Sequence, residues 1–174
     1  GNASYYYSFT RIQVRGTIRT GGRVLPVSGL GWLDREWSTS VLDPSQEGWD
    51  WLALHLEDGR DLMIYRIRRR DGTIDPVSSG VLVDVNGVRT RLETEDWSLE
   101  PERFWRDDSG GRWPVVWRLQ VPEAGIDGRV RPIRDDQLNR LAVRYWEGVV
   151  CLDGASPGCG YLELTGYDAD PSGQ

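Results

Sequence analysis

The sequence contains no lysine: all 21 of its basic side chains are arginine. It has one histidine (His55), one methionine (Met63), two phenylalanines and two cysteines. Each scarcity removes a class of chemistry. With a single imidazole and no HxH, HExxH or paired CxxC spacing, no zinc or other transition-metal site is expected. The acidic pairs Asp107-Asp108 and Asp135-Asp136 stand in turn-like segments without EF-hand spacing, so no calcium site is expected either. The expectation is no metal and no cofactor. There is no GxSxG elbow, and a Ser-His-Asp triad or Cys-His dyad has only His55 to use, inside the alternating stretch WLALHLED. Hydrolytic machinery is therefore not visible. Pieces such as GLG (29–31) open no helix and so cradle no phosphate. No run approaches the ~18 apolar residues of a membrane-spanning helix.

A net charge of -6 argues against nucleic acid, whose phosphates call for clustered positive charge. The arginines are spread along the chain, and RIRRR (66–70) reads as solvated edge and turn charge. Gly1 stands where an initiating methionine is expected, which is compatible with a leader having been removed. Cys151 and Cys159 flank LDGASPG. Either they bridge the arms of a hairpin in an oxidising compartment, or they are two small buried hydrophobes.

What the chain does have is a periodicity of two. TRIQVRGTIRT (10–20) alternates polar and apolar residues up to Gly21-Gly22, and RVLPVSGLGWL (23–33) runs back. WDWLALHLEDGRDLMIYRIRR (49–69) reads as a hairpin across Asp58-Gly59. Further strands are expected within 74–85, 88–93, 96–105, 113–121, 127–133, 141–152 and 160–167, with at most one helical turn at DDQLNR (135–140). Ten or more short strands with regular turn signals indicate one all-β domain over 1–174, ordered over about 5–167. Sequential hairpins favour an antiparallel, up-and-down barrel. Nine Trp and seven Tyr against two Phe suit an apolar wall that still offers hydrogen bonds, and hence a lined cavity.

Several acids sit among these rings: Asp34-Arg35-Glu36-Trp37, Gly48-Trp49-Asp50-Trp51, Tyr145-Trp146-Glu147 and Tyr161-Leu162-Glu163. A carboxyl group in an apolar pocket is raised in pKa and can protonate an alkene, while ring faces stabilise the resulting cation. The alternative for each acid is pairing with an arginine, which works in the opposite direction. Strand phase puts Asp50 on the face of Leu52, Leu54 and Leu56, and Trp49, Trp51, Ala53 and His55 on the other. An interior polar cluster of Asp50, Glu147, Glu163 and a tyrosine is one arrangement that this phase permits.

YYYSFTRIQVRGTI (5–18), PVSGLGWLDREWSTSVLDP (26–44), GWDWLALHLEDGRDLMIYRIRRRDG (48–72), VRYWEGVVCLDG (143–154) and GYLELTGY (160–167) resemble the lipocalin-like "predicted secreted hydrolase" family. This family includes AttH-type proteins and is related to carotenoid 1,2-hydratases. The resemblance implies a lipocalin-like barrel, an apolar ligand such as a lipid or isoprenoid, a periplasmic or secreted location, and a link to an ABC transporter. It also implies that the chain is the C-terminal half of a two-domain protein, with an N-terminal lipocalin-like domain as partner. Where relatives commonly read DHEWS, this chain has Arg35, which cannot shuttle protons near neutrality. Arg35 and Glu36 remain candidates for holding a ligand head group, with Trp37, Asp50, Trp51 and Tyr65 as further pocket residues.

Three functions are expected in turn. The first is a binding domain for an apolar molecule, using Arg35, Glu36, Trp37, Asp50, Trp51, Tyr65, Tyr145, Trp146 and Tyr161. The second is an acid-base enzyme on an alkene or polyene (a hydratase, isomerase or cyclase), with Asp50, Glu147 and Glu163 as candidate catalytic groups. The third is a filled-core platform for a partner domain. A dimer of the isolated domain is also expected if its apolar surface is left uncovered.

Overall fold

The computed structural model describes residues 4–38, 42–140 and 144–167. The chain forms two compact units, residues 1–43 and 44–174. The smaller unit is a single antiparallel ribbon of β1 (Ser4–Thr20) and β2 (Arg23–Ser38), turned at Gly21-Gly22. Both turn glycines have positive φ, which a side chain there would resist. Pairing runs from Tyr5↔Trp37 to Thr20↔Arg23, with a bulge between Phe9 and Ile12. The extra residue shifts the phase of the alternation, so Phe9 and Ile12 stay on one face.

The larger unit is one ten-stranded antiparallel sheet. Its strands are β3 (Gln46–Leu56), β4 (Asp61–Arg69), β5 (Ser79–Val83), β6 (Arg89–Leu92), β7 (Ser98–Arg106), β8 (Arg112–Val121), β9 (Ile126–Pro132), β10 (Leu138–Arg140), β11 (Arg144–Gly154) and β12 (Gly158–Leu164). The order is β6-β5-β4-β3-β12-β11-β9-β8-β7, with β10 on β11. Two up-and-down meanders, β3 to β6 and β7 to β9, thus flank the C-terminal hairpin. The sheet curls into an antiparallel half-barrel, as the alternation implied, and is of the lipocalin-like type that the family resemblance implied. Among the described residues the one helical element is a 3-10 turn at Pro122–Ala124. The helical turn expected within 135–140 is instead the short strand β10, because Leu138 pairs with Trp146 and is buried there.

The inward face of the curl is a continuous apolar core. It takes Leu52, Leu54 and Leu56 from β3, Leu62 and Ile64 from β4, Trp113, Trp117 and Leu119 from β8, Trp146 and Val150 from β11, and Leu162 and Leu164 from β12. Trp113, Trp117 and Trp146 are fully buried. These three rings fill the inside of the curl rather than line an opening. Glycine lets the strands approach closely enough to curl: a Cβ at Gly160 would lie 1.9 Å from the Ala53 carbonyl oxygen. Cys151 and Cys159 are register partners on β11 and β12 and form a disulfide.

Candidate functional site

The sequence candidates separate into three places, two in the larger unit and one in the ribbon. The hairpin register pairs Asp50 with Arg66 and Trp51 with Tyr65, on opposite faces of β3 and β4. The core side holds Asp50. Its carboxylate is fully buried and accepts from Arg66 Nε at 2.8 Å and Nη2 at 2.7 Å, and from the Tyr167 hydroxyl at 2.9 Å. Arg66 also donates to the Leu99 carbonyl at 2.6 Å and lies 4.9 Å from the Trp117 ring centre. Arg68 stacks 3.8 Å over the Tyr167 ring and donates to the Thr165 carbonyl. RIRRR is thus not wholly solvated: Arg66 and Arg68 turn inward because alternation puts them in phase with Leu62 and Ile64.

Burial and then the neighbouring Asp50 charge keep the Tyr167 phenol protonated far above its usual range. Burial pulls the Arg66 guanidinium down, and Asp50, together with Tyr167 and Glu100, more than restores it. This is a closed ion pair sealing one end of the core, with Asp50 committed to two arginines and a phenol. Trp146, also a ligand candidate by sequence, is a core residue that donates to the Asp135 carbonyl at 2.7 Å.

The outward face of the same sheet gathers the other six candidates in the larger unit. Register sets Glu147 beside Glu163, Glu163 beside Trp51, and Trp51 beside Tyr65. The next row contains Tyr161, opposite Val149 and Ala53. Trp49 caps the group: its indole donates to Glu163 Oε1 at 2.7 Å and its ring lies 5.9 Å from Tyr145. Asn139 donates to Glu147 Oε1 at 3.0 Å. Burial first, and then the two glutamates, raise the pKa of both Tyr145 and Tyr161, so these phenols stay neutral donors near pH 7. Tyr161 remains 40% exposed, so the patch is open to solvent. His55 lies further along this face, with Nδ1 2.8 Å from Asp61 Oδ1. The permitted cluster of Asp50 with Glu147 and Glu163 is therefore not formed: the glutamates lie together among rings, and Asp50 is on the other side of the sheet.

Arg35, Glu36 and Trp37 belong to the ribbon. Arg35 lies 5.8 Å from the Trp37 ring centre. Asp34, which sequence reading did not select, accepts from Tyr6 Oη at 2.7 Å, Trp32 Nε1 at 2.9 Å and Ser8 Oγ. Asn139 and Tyr167 were also missed. Tyr167 meets Asp50 across 117 positions, which local alternation cannot reveal, and Asn139 reaches Glu147 only because 138–140 forms a strand where a helical turn was expected.

A shallow cleft of about 320 Å³ is lined by Asp107, Asp108, Ser109, Arg140 and Arg144. Its charged groups are engaged with one another and with Asp136. Asp107 accepts from Ser109 N and Oγ, Gly111 N, Trp113 Nε1 and Arg144 Nη2. Burial pushes its carboxyl up, but these donors outweigh burial and hold it well below the usual carboxylate range. A lowered folded pKa means stability present above the unfolded value of 3.8 and lost as pH falls towards the folded one. Asp107→Asn is accordingly expected to cost about 2–3 kcal/mol in urea unfolding at pH 7. The gap to wild type should narrow below about pH 4; a gap that stays constant from pH 7 to 3 contradicts the assignment.

The whole chain can be set against known proteins. None of the curated proteins matches it. A crystal structure of an AttH homologue from Nitrosomonas europaea is 38% identical, with a TM-score of 0.84 over 94% of this chain and 52% of that one. The chain therefore spans about half the length of that relative. Kievitone hydratase from Nectria haematococca shares the fold at 18% identity, with a TM-score of 0.75 over 93% of this chain and 52% of that one. The AttH-like family model matches residues 1–167, and the chain belongs to the AttH-like family.

Proposed function

We propose that this chain holds an apolar, unsaturated small molecule, a lipid or isoprenoid, against the outward face of its larger unit. The observation that carries the reading is the grouping of Trp49, Trp51, Tyr65, Tyr145 and Tyr161 around the register pair Glu147 and Glu163, on the face that the core does not use. Ring faces offer apolar area at low entropic cost, and the carboxylates and phenols orient a polar end. With the inward face packed by tryptophan, this outward face is where contact area remains. On the family resemblance, the proposal extends to a periplasmic or secreted protein that works beside an N-terminal lipocalin-like domain and an ABC transporter. A disulfide suits that setting.

A second reading, acid-base chemistry on an alkene, is favoured by one contact: the Trp49 indole fixes Glu163 among the rings. There a carboxyl group would protonate one alkene carbon, and the rings would stabilise the cation at the other. Water would add to that carbon, and its proton would return to the carboxylate. The relative in Nectria haematococca is by name a hydratase.

Retinol, an isoprenoid polyene, tests the binding reading through quenching of tryptophan fluorescence. Wild type is expected to bind it, with Trp51→Ala and Tyr161→Ala each weakening binding about tenfold. Absence of binding to wild type, or wild-type affinity in both variants, contradicts the proposal. Hydration of a polyene alcohol that is lost in Glu163→Gln, with affinity kept, would establish the second reading.

A further inference from the structure

Alternation turns Cys151 and Cys159 away from the core: the buried Trp146, Val150 and Leu152 take the other phase on β11, and Leu162 and Leu164 take it on β12. Their disulfide therefore lies on the outward face of the larger unit. Register sets it in one row across five strands, with Asp61 on β4, His55 on β3, Cys159 on β12, Cys151 on β11 and Arg131 on β9. Side chains opposite one another on neighbouring strands stand within contact range. Cys159 is exposed and Cys151 half-buried. The bond joins positions only 8 apart, and the β11–β12 ladder continues past it to Leu152↔Gly158 on one side and Trp146↔Leu164 on the other. Pairing already closes this loop, so the bond adds little constraint that the sheet lacks.

The flanks of the disulfide carry the chemistry of a reactive sulfur. His55 Nδ1 is 2.8 Å from the buried Asp61 carboxylate, which fixes the tautomer whose basic lone pair is on Nε2. On the other flank Arg131 brings a fixed positive charge, held through Nε by Asp153 at 2.9 Å, and Arg129 stands beside Asp153 in the next row. Cationic and imidazole neighbours favour the thiolate, the species that attacks and leaves in exchange. We propose that Cys151–Cys159 is a thiol–disulfide exchange site whose partner is a dithiol. A thiolate of the dithiol attacks Sγ of Cys159, the more exposed residue of the pair. The S–S bond breaks, and its electron pair leaves on Cys151, beside Arg131. The second thiol gives its proton to His55 Nε2 and attacks the dithiol's own sulfur in the mixed disulfide. Cys159 leaves with that electron pair and takes the proton back from His55. The dithiol ends as a disulfide and the pair as a Cys151 thiolate and a Cys159 thiol; the reverse sequence re-forms the bond.

Dithiothreitol acting on the whole native chain tests this, with free thiols trapped by N-ethylmaleimide and counted by mass. At about 1 mM reagent and near-neutral pH, both cysteines are expected to be reduced within about ten minutes, with the far-ultraviolet circular dichroism unchanged. His55→Gln is expected to slow reduction about tenfold and Arg131→Gln about threefold. Arg103→Gln, which removes a cation paired with Asp135 elsewhere on the chain, is expected to keep the wild-type rate. Misfolding would bare the bond and speed its reduction, so a slower rate is not a folding defect. Reduction that needs or causes unfolding overturns the proposal, as does a wild-type rate in either His55→Gln or Arg131→Gln.

Discussion

Asp50→Asn is expected to destabilise the protein by about 3–5 kcal/mol, a large share of the ~5–15 kcal/mol that holds a domain of this size together. The cost arises because the guanidinium of Arg66, also buried, loses the carboxylate that it meets through two nitrogens. The asparagine amide would instead place a donor against Arg66 or against the Tyr167 hydroxyl. Two buried charges cost more to separate than to remove together. Asp50→Leu combined with Arg66→Met should therefore recover most of the stability that Asp50→Asn loses. Urea unfolding of the three proteins measures both differences. An unchanged midpoint in Asp50→Asn contradicts the placement of Asp50 as a structural plug and returns it to the list of catalytic acids.

Trp146→Ala and Tyr145→Ala, one position apart, are expected to have opposite consequences. Trp146 is fully buried with its indole hydrogen-bonded, so its removal leaves a cavity and an unsatisfied carbonyl, at a cost of about 3–5 kcal/mol. Tyr145 points to the other side of the same strand, where it touches Trp49 and solvent. Its removal should cost under about 1 kcal/mol, within the range of surface substitutions, yet weaken retinol binding several-fold. Equal losses of stability in the two variants contradict the division of the sheet into a packed inward face and a functional outward face.

That division marks where sequence reasoning ran out. Alternation and turn residues are local, so the strands, the ribbon turn at Gly21-Gly22 and the burial of Asp50 beside Leu52 and Leu54 were all legible. The pairing of Asp50 with Arg66 was within reach too, since the two stand equally far from Asp58 at the hairpin turn. Glu163 differs from Asp50 in a way that was also visible: it alternates with Leu162 and Leu164 instead of sharing their phase. What alternation cannot supply is register between distant strands. The Tyr167–Asp50 contact spans 117 positions, and the Trp49–Glu163 contact spans 114. Only the insertion of the β11–β12 hairpin between the two meanders brings them together. The aromatic excess was read as a cavity lining because composition counts rings without telling which way the sheet curls. The arrangement of Asp34 with Tyr6, Ser8 and Trp32 needed the pairing of β1 with β2, and the bulge after Phe9 breaks the simple phase counted from the turn.

The most direct test of the account is fluorine NMR of the protein labelled with 5-fluorotryptophan, its signals assigned by single Trp→Phe variants, during addition of retinol. The account predicts that the signals of Trp49 and Trp51 move, while those of Trp113, Trp117 and Trp146 stay in place. Movement of the three core signals, or of none, would contradict it.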